Sequence, residues 1–134
     1  MDQRGGTYAL FLKMEQPAEI SIGQLGTFAF PAGYYVYVGS ALGSGGLKAR
    51  LARHQRDDKK LHWHIDYFLA HACIVGIHMD SSGKRLECKW VQALLSAPGA
   101  QIVAPRFGAS DCDCPAHLIY IGKDSALSLA FSAR

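Results

Sequence analysis

The sequence lacks any apolar run long enough to span a bilayer. Met1 to Gly6 is polar and has no apolar core of the kind a secretory leader carries. Long polar tracts are also missing. Charged residues are 19% of the chain against 49% hydrophobic, which excludes a disordered polymer and supplies material for a core. Neither an internal repeat nor a linker divides the chain, so the expectation is one domain over residues 1–134, cytoplasmic and without membrane contact. Cysteine is sparse. The four, Cys73, Cys88, Cys112 and Cys114, are expected in a cytoplasmic chain as thiols or metal ligands rather than disulfides. The net charge of +3 permits an anionic partner without demanding one.

Hydrophobic periodicity outlines the elements. Thr7 to Met14 alternates with apolar residues on both faces, as an interior strand does. Ile20 to Ile22 and Thr27 to Phe30 read as short strands around the turn Gly23 to Gly26. Tyr34 to Val38 is a further strand, rich in aromatic and β-branched residues, and a glycine-rich loop from Gly39 to Gly46 follows it. Helices are expected over Leu47–Gln55, Ile65–Ala72 and Arg85–Ser96, the last burying Leu86, Trp90, Ala93 and Leu94. Strands are expected at Cys73–Met79, Ile102–Val103 and Leu118–Ile121. The fold class is therefore α/β of the α+β type, a small, mainly antiparallel sheet flanked by helices.

Three features carry the chemistry: Gly6-Thr7-Tyr8 opening the first strand, Tyr37-Val38-Gly39 closing a later one, and the run Leu47-Lys48-Ala49-Arg50-Leu51-Ala52-Arg53-His54. Together with Ser40 they resemble the GIY-YIG nuclease superfamily, which has a Gly-x-Tyr strand, a Tyr-x-Gly strand, a small hydroxyl residue and a helix with L-x-x-R-x-x-x-H spacing. Leu47, Arg50 and His54 fit that spacing. The flanking runs Gly-Tyr-Tyr-Val-Tyr-Val-Gly-Ser-Ala, His-Trp-His-Ile-Asp-Tyr and Gly-Ala-Ser-Asp-Cys-Asp-Cys resemble a branch whose members also occur fused to base-excision repair enzymes. The chain departs from the family twice. Residues 9–36 separate the two motif tyrosines, read here as an inserted hairpin, and the family's late Asn has no counterpart because the chain contains no Asn.

The resemblance implies a divalent-metal endonuclease with Mg²⁺ or Mn²⁺ held by Glu87. Tyr8 would orient or deprotonate water, Arg50 would steady the phosphate, and Tyr37 and His54 would complete the catalytic set. Nucleic acid, DNA before RNA, would be the partner, with a DNA repair protein as a further one. The residue types suit that chemistry independently, since phosphodiester cleavage needs an activated water and charge against the phosphate. Arg50 offers a planar fork and Glu87 a hard oxygen ligand. Lys48, Arg53, Arg56, Lys59 and Lys60, with Ser40, can follow a nucleic-acid backbone.

Each assignment has a structural counterpart. Strand tyrosines pack cores, helix arginines face solvent, and a glutamate in a first turn favours the helix dipole. The basic run is equally well a solvated face. His62, His64 and Asp66 can bind metal or phosphate, but capping and bonding a helix start is the favoured reading. Cys112, Cys114 and His117 can hold a soft metal, with Asp111, Asp113 or Cys88 as a fourth ligand. Without the paired Cys-x-x-Cys knuckles, zinc at Cys112/Cys114/His117 is not expected. The alternative to an enzyme is a catalytically inactive module on the same fold that binds nucleic acid or recruits a repair partner.

Overall fold

The computed structural model describes residues 6–40, 52–54, 64–80, 86–97, 99–108 and 115–122. The chain runs β1 (Thr7–Met14), β2 (Ala18–Ile22), β3 (Gly26–Phe30), β4 (Gly33–Ser40), a helix α1 described over residues 52–54, α2 (His64–Leu69), β5 (Cys73–Asp80), α3 (Glu87–Leu95) and β6 (Leu118–Gly122). Four strands form one sheet in the order β5-β1-β4-β6, and β2 and β3 pair separately. The pairs are antiparallel throughout. The fold is thus the expected α+β architecture, with β2–β3 as the inserted hairpin between the two motif strands.

β1 is buried on both faces because layers cover both sides of the sheet. On one face Tyr8, Leu10, Leu12, Tyr35 and Tyr37 pack with Ile65 and Phe68 of α2 and with Ile20, Ile22 and Phe30 of the hairpin. On the other, Ala9, Phe11, Val36, Val38, Ile119 and Ile121 pack with Val91 and Leu94 of α3. The inserted hairpin is therefore part of the core, where its apolar residues meet α2. Phe68 is the centre of that layer, with rings of Tyr35, Phe30 and Phe107 at 4.9, 5.1 and 6.3 Å in edge-on arrangements that suit the ring quadrupoles. At the start of β4, Gly33 has φ +136°, and a Cβ there would lie 2.5 Å from the carbonyl oxygen of Gly122, so only glycine fits.

Several boundaries differ from expectation. α2 ends at Leu69, not Ala72, because the His71 N–H turns back to the Phe68 carbonyl at 2.9 Å. Ile102–Val103 is not a strand. Gln101 alone bridges to Tyr120, which leaves Ile102 and Val103 to pack their side chains against the core. α3 buries Val91 and Leu94, while Ala93 is exposed, because the helix meets the sheet one position away from the expected stripe. Its Trp90 is half-buried and packs against His78 at 5.4 Å. Most of the expected helix Leu47–Gln55 lies outside the described residues. Among the described residues no helix is long and apolar enough to cross a membrane.

Phe68→Ala should lower unfolding free energy by about 3–5 kcal/mol, since it empties the centre of the aromatic layer. Val75→Thr, on an exposed strand position, should stay within about 0.5 kcal/mol. Urea unfolding of both variants measures the difference.

Candidate active site at the end of the sheet

The antiparallel register sets Tyr8 directly opposite Gly39. Opposed residues share a face, so the Tyr8 ring lies across the position where a Gly39 side chain would stand. A Cβ on Gly39 would come within 2.5 Å of the Tyr8 hydroxyl and 2.6 Å of its ring. The Tyr-x-Gly spacing thus has a steric cause: Gly39 clears the floor on which Tyr8 rests, and the next tyrosine back, Tyr37, stands beside it.

Tyr8 and Tyr37 have ring centroids 6.3 Å apart. His54, on α1, closes the group, 5.4 Å from the Tyr8 ring and 6.1 Å from that of Tyr37. Its Nε2 is hydrogen-bonded to the Tyr8 hydroxyl at 2.6 Å. Three of the expected catalytic residues, distant in sequence, are therefore one cluster. The cluster is sealed: Tyr8 is 0% exposed, His54 2% and Tyr37 8%.

Arg53, the neighbour of His54, is not free to follow a phosphate backbone. Its guanidinium donates from Nη1 to Asp66 Oδ1 at 2.8 Å and from Nη2 to Asp66 Oδ2 at 2.9 Å. The Asp66 side chain is fully buried, so this two-point pair locks α1 to α2. The bond to Asp66 raises the Arg53 pKa further, and burial opposes the rise. His64 is likewise structural: its Nδ1 accepts the Gly108 N–H at 2.7 Å. Burial lowers its pKa, which favours the neutral ring that this bond requires. His64 and Asp66 thus tie α2 to other parts of the fold, tertiary bonds in place of the expected cap at the helix start. His62 lies outside the described residues.

Glu87 opens α3. The Leu86 N–H donates to Thr7 Oγ1 at 3.0 Å, which ties the helix start to the end of β1, one residue from Tyr8. α3 covers the opposite face of the sheet from the tyrosines. Glu87 and the Tyr8 cluster thus share one end of the sheet but not one face. Glu87 is partly exposed, and Ser40, at the end of β4, is too. Arg50, Lys48, Arg56, Lys59 and Lys60 lie outside the described residues, as do Cys112 and Cys114. Among the described residues no three His, Cys, Asp or Glu side chains gather as a metal site. Cys73 is a free, exposed thiol as expected, whereas Cys88 is disulfide-bonded, contrary to expectation. It stands exposed on the first turn of α3.

The loop 104–108 is a contributor that local patterns do not reveal. The Phe107 ring packs against Tyr37 at 6.2 Å and His64 at 5.6 Å, and the Gly108 N–H fixes His64. Only the tertiary fold brings these residues beside the tyrosines. A family model described as a domain of unknown function, DUF123, matches residues 7–133. Comparison with curated proteins and with solved structures found no match.

Two outcomes follow from this geometry. Gly39→Ala should displace the Tyr8 ring and remove the Tyr8–His54 bond, seen as a changed tyrosine signal in near-ultraviolet circular dichroism with the sheet retained. The second concerns pH. The folded pKa of His64 lies below its ordinary value, so the unfolded chain binds more protons and stability rises with pH. Stability should therefore fall as pH drops below about 6.5. His64→Gln should flatten that slope in urea titrations run at several pH values, and an unchanged slope would contradict the assignment.

Proposed function

We propose, from the premise that this chain belongs to the DUF123 family, that it is a divalent-metal-dependent phosphodiesterase of the GIY-YIG type, acting on DNA before RNA. The observation that carries this is the convergence of Tyr8, Tyr37 and His54, three residues of the motif set, into one hydrogen-bonded cluster. A protein of base-excision repair is the partner class that fits such an activity.

Hydrolysis of a phosphodiester needs water to add to phosphorus, its proton to leave to a base, and the leaving oxygen to be released as the P–O bond breaks. Tyr8, oriented by His54, is the group proposed to orient or deprotonate that water. With His54 Nε2 as acceptor, the Tyr8 hydroxyl has a proton sink within hydrogen-bond distance. Tyr37 borders the same point. Arg50 is proposed to steady the phosphate with its fork. Lys48, Arg56, Lys59 and Lys60 remain as backbone contacts, Arg53 being taken by Asp66.

Glu87 fits a hard cation: it is a partly exposed carboxylate at the same end of the sheet as Tyr8. One carboxylate with water completing the shell suits Mg²⁺ or Mn²⁺. The chemistry such an ion supplies when bound is charge stabilisation at the phosphate. A cleft using both Glu87 and the tyrosines would straddle the sheet end.

One observation favours a second reading. Tyr8 and His54 are as buried as core residues, which suits a module that keeps the fold to bind nucleic acid or recruit a partner and no longer cleaves. A cleavage screen over single-stranded, duplex, nicked and branched substrates with Mg²⁺ or Mn²⁺ separates the two, and binding without cleavage supports the second. In single-turnover cleavage, Arg50→Ala and Glu87→Gln should each lower the rate by about 100-fold or more. Lys60→Ala should weaken binding and spare the chemical step. Equal loss from all three would indicate general electrostatics, and a Glu87→Gln protein with wild-type rate would remove Glu87 from the mechanism.

A further inference from the structure

We propose that the Arg53–Asp66 pair is the positioning element of the Tyr8–His54 couple, the part of the fold that holds His54 Nε2 against the Tyr8 hydroxyl for phosphodiester chemistry. This role deepens, and rests on, the reading of Tyr8 as the group that orients or deprotonates water. Neither Arg53 nor Asp66 is asked to touch the reacting atoms. Both act through His54.

His54 alone does not fix that geometry. A helix attached at one point can still turn about its axis. Successive helical residues point about 100° apart, so the neighbours Arg53 and His54 leave α1 in different directions. His54 reaches Tyr8 on β1 at 2.6 Å, and Arg53 reaches Asp66 on α2 at 2.8 and 2.9 Å. One residue therefore ties α1 to the sheet and the one before it ties α1 to α2. Two anchors in different directions remove the rotation that one would leave. The guanidinium meets both oxygens of a single carboxylate, which sets orientation as well as distance.

The platform under Arg53 is firm. The Asp66 side chain is fully buried, and Ile65 and Phe68, both 0% exposed, root α2 in the aromatic layer. His64 binds the same helix to the 104–108 loop through the Gly108 N–H at 2.7 Å. Placement thus passes from that loop through α2 and Asp66 to Arg53, and so to His54 and Tyr8. A buried ion pair is a costly way to gain stability, since an apolar pair of the same shape often serves as well. What this pair supplies that an apolar one lacks is a directed, two-point contact. Arg53 also interacts electrostatically with the Tyr8 side chain, an attraction that favours its charged form. The attraction is mutual, so a fixed cation acts on any negative charge that gathers on the Tyr8 oxygen.

The test separates positioning from bulk stability. Arg53→Gln/Asp66→Asn removes both charges together, so no buried charge is stranded and circular dichroism should show a retained fold. In the wild type the proton of the Tyr8–His54 bond should give a downfield nuclear magnetic resonance signal, assigned by its absence from Tyr8→Phe. In the double variant that signal should move upfield or vanish. Single-turnover cleavage with saturating enzyme, which is blind to a lost phosphate contact in binding, should slow by about 10- to 100-fold, as for a misplaced catalytic group. Val91→Ala, which loosens the opposite face of the sheet under α3, should keep the signal and stay within about twofold in rate. Should the double variant not fold, Arg53→Lys, which keeps the charge and gives up the fork, takes its place with the same expected direction.

A folded double variant with the wild-type signal would overturn the proposal, as would a lost signal at the wild-type rate. So would a wild type without the signal, or a Val91→Ala protein that matches the double variant in both readouts. A wild type that cleaves nothing would sink the nuclease reading, and the placement of His54 by the pair would then stand or fall on the resonance alone.

Discussion

The Tyr8 ring lies across the bare backbone of Gly39, and the order at this end of the sheet depends on that contact. A side chain at Gly39 would meet the ring and hydroxyl of Tyr8 at distances no packed structure tolerates. With the floor clear, β1 and β4 pair without interruption from Thr7↔Ser40 to Met14↔Gly33. The distal end of the ring lies over Gly39, its hydroxyl directed to His54. Slipping the register by one residue would turn every side chain of β1 to the opposite face. Tyr8 would then leave the aromatic layer and His54 would lose its partner.

The sheet also separates two tasks. Its tyrosine face carries the aromatic core and the Arg53–Asp66 pair, which together fix α1 and α2. Removing one partner of such a pair strands a buried charge, so its role is to set geometry as much as to add stability. The other face carries α3, whose start is tied to Thr7. Residues from both layers therefore arrive at one end of the sheet. The cluster of Tyr8, Tyr37 and His54 lies on one side there, and Glu87 opens the helix on the other. A nuclease site of the proposed kind would use that shared end.

Much of this was legible because the signals were local. Alternation with apolar residues on both faces placed β1 to the residue, and the turn at Gly23 to Gly26 located the hairpin. The motif spacing brought Tyr8 and Tyr37 onto adjacent strands and His54 beside them. What failed to show was tertiary. Arg53 reads as a solvated or phosphate-binding cation until Asp66, on another helix, is seen to occupy its fork. Ile102 and Val103 have strand-like side chains, but only Gln101 reaches the sheet for a backbone bridge. The α3 stripe shifted because helix docking angle, not periodicity, chooses which apolar residues turn inward.

The central claim is that the Tyr8 hydroxyl is chemical and not only a packing group. Tyr8→Phe tests it most directly, because it deletes one oxygen and leaves the ring on Gly39. Single-turnover cleavage by that protein, with a matched circular dichroism spectrum, should be slower than wild type by about 100-fold or more. A Tyr8→Phe protein that folds and cleaves at the wild-type rate would contradict the account.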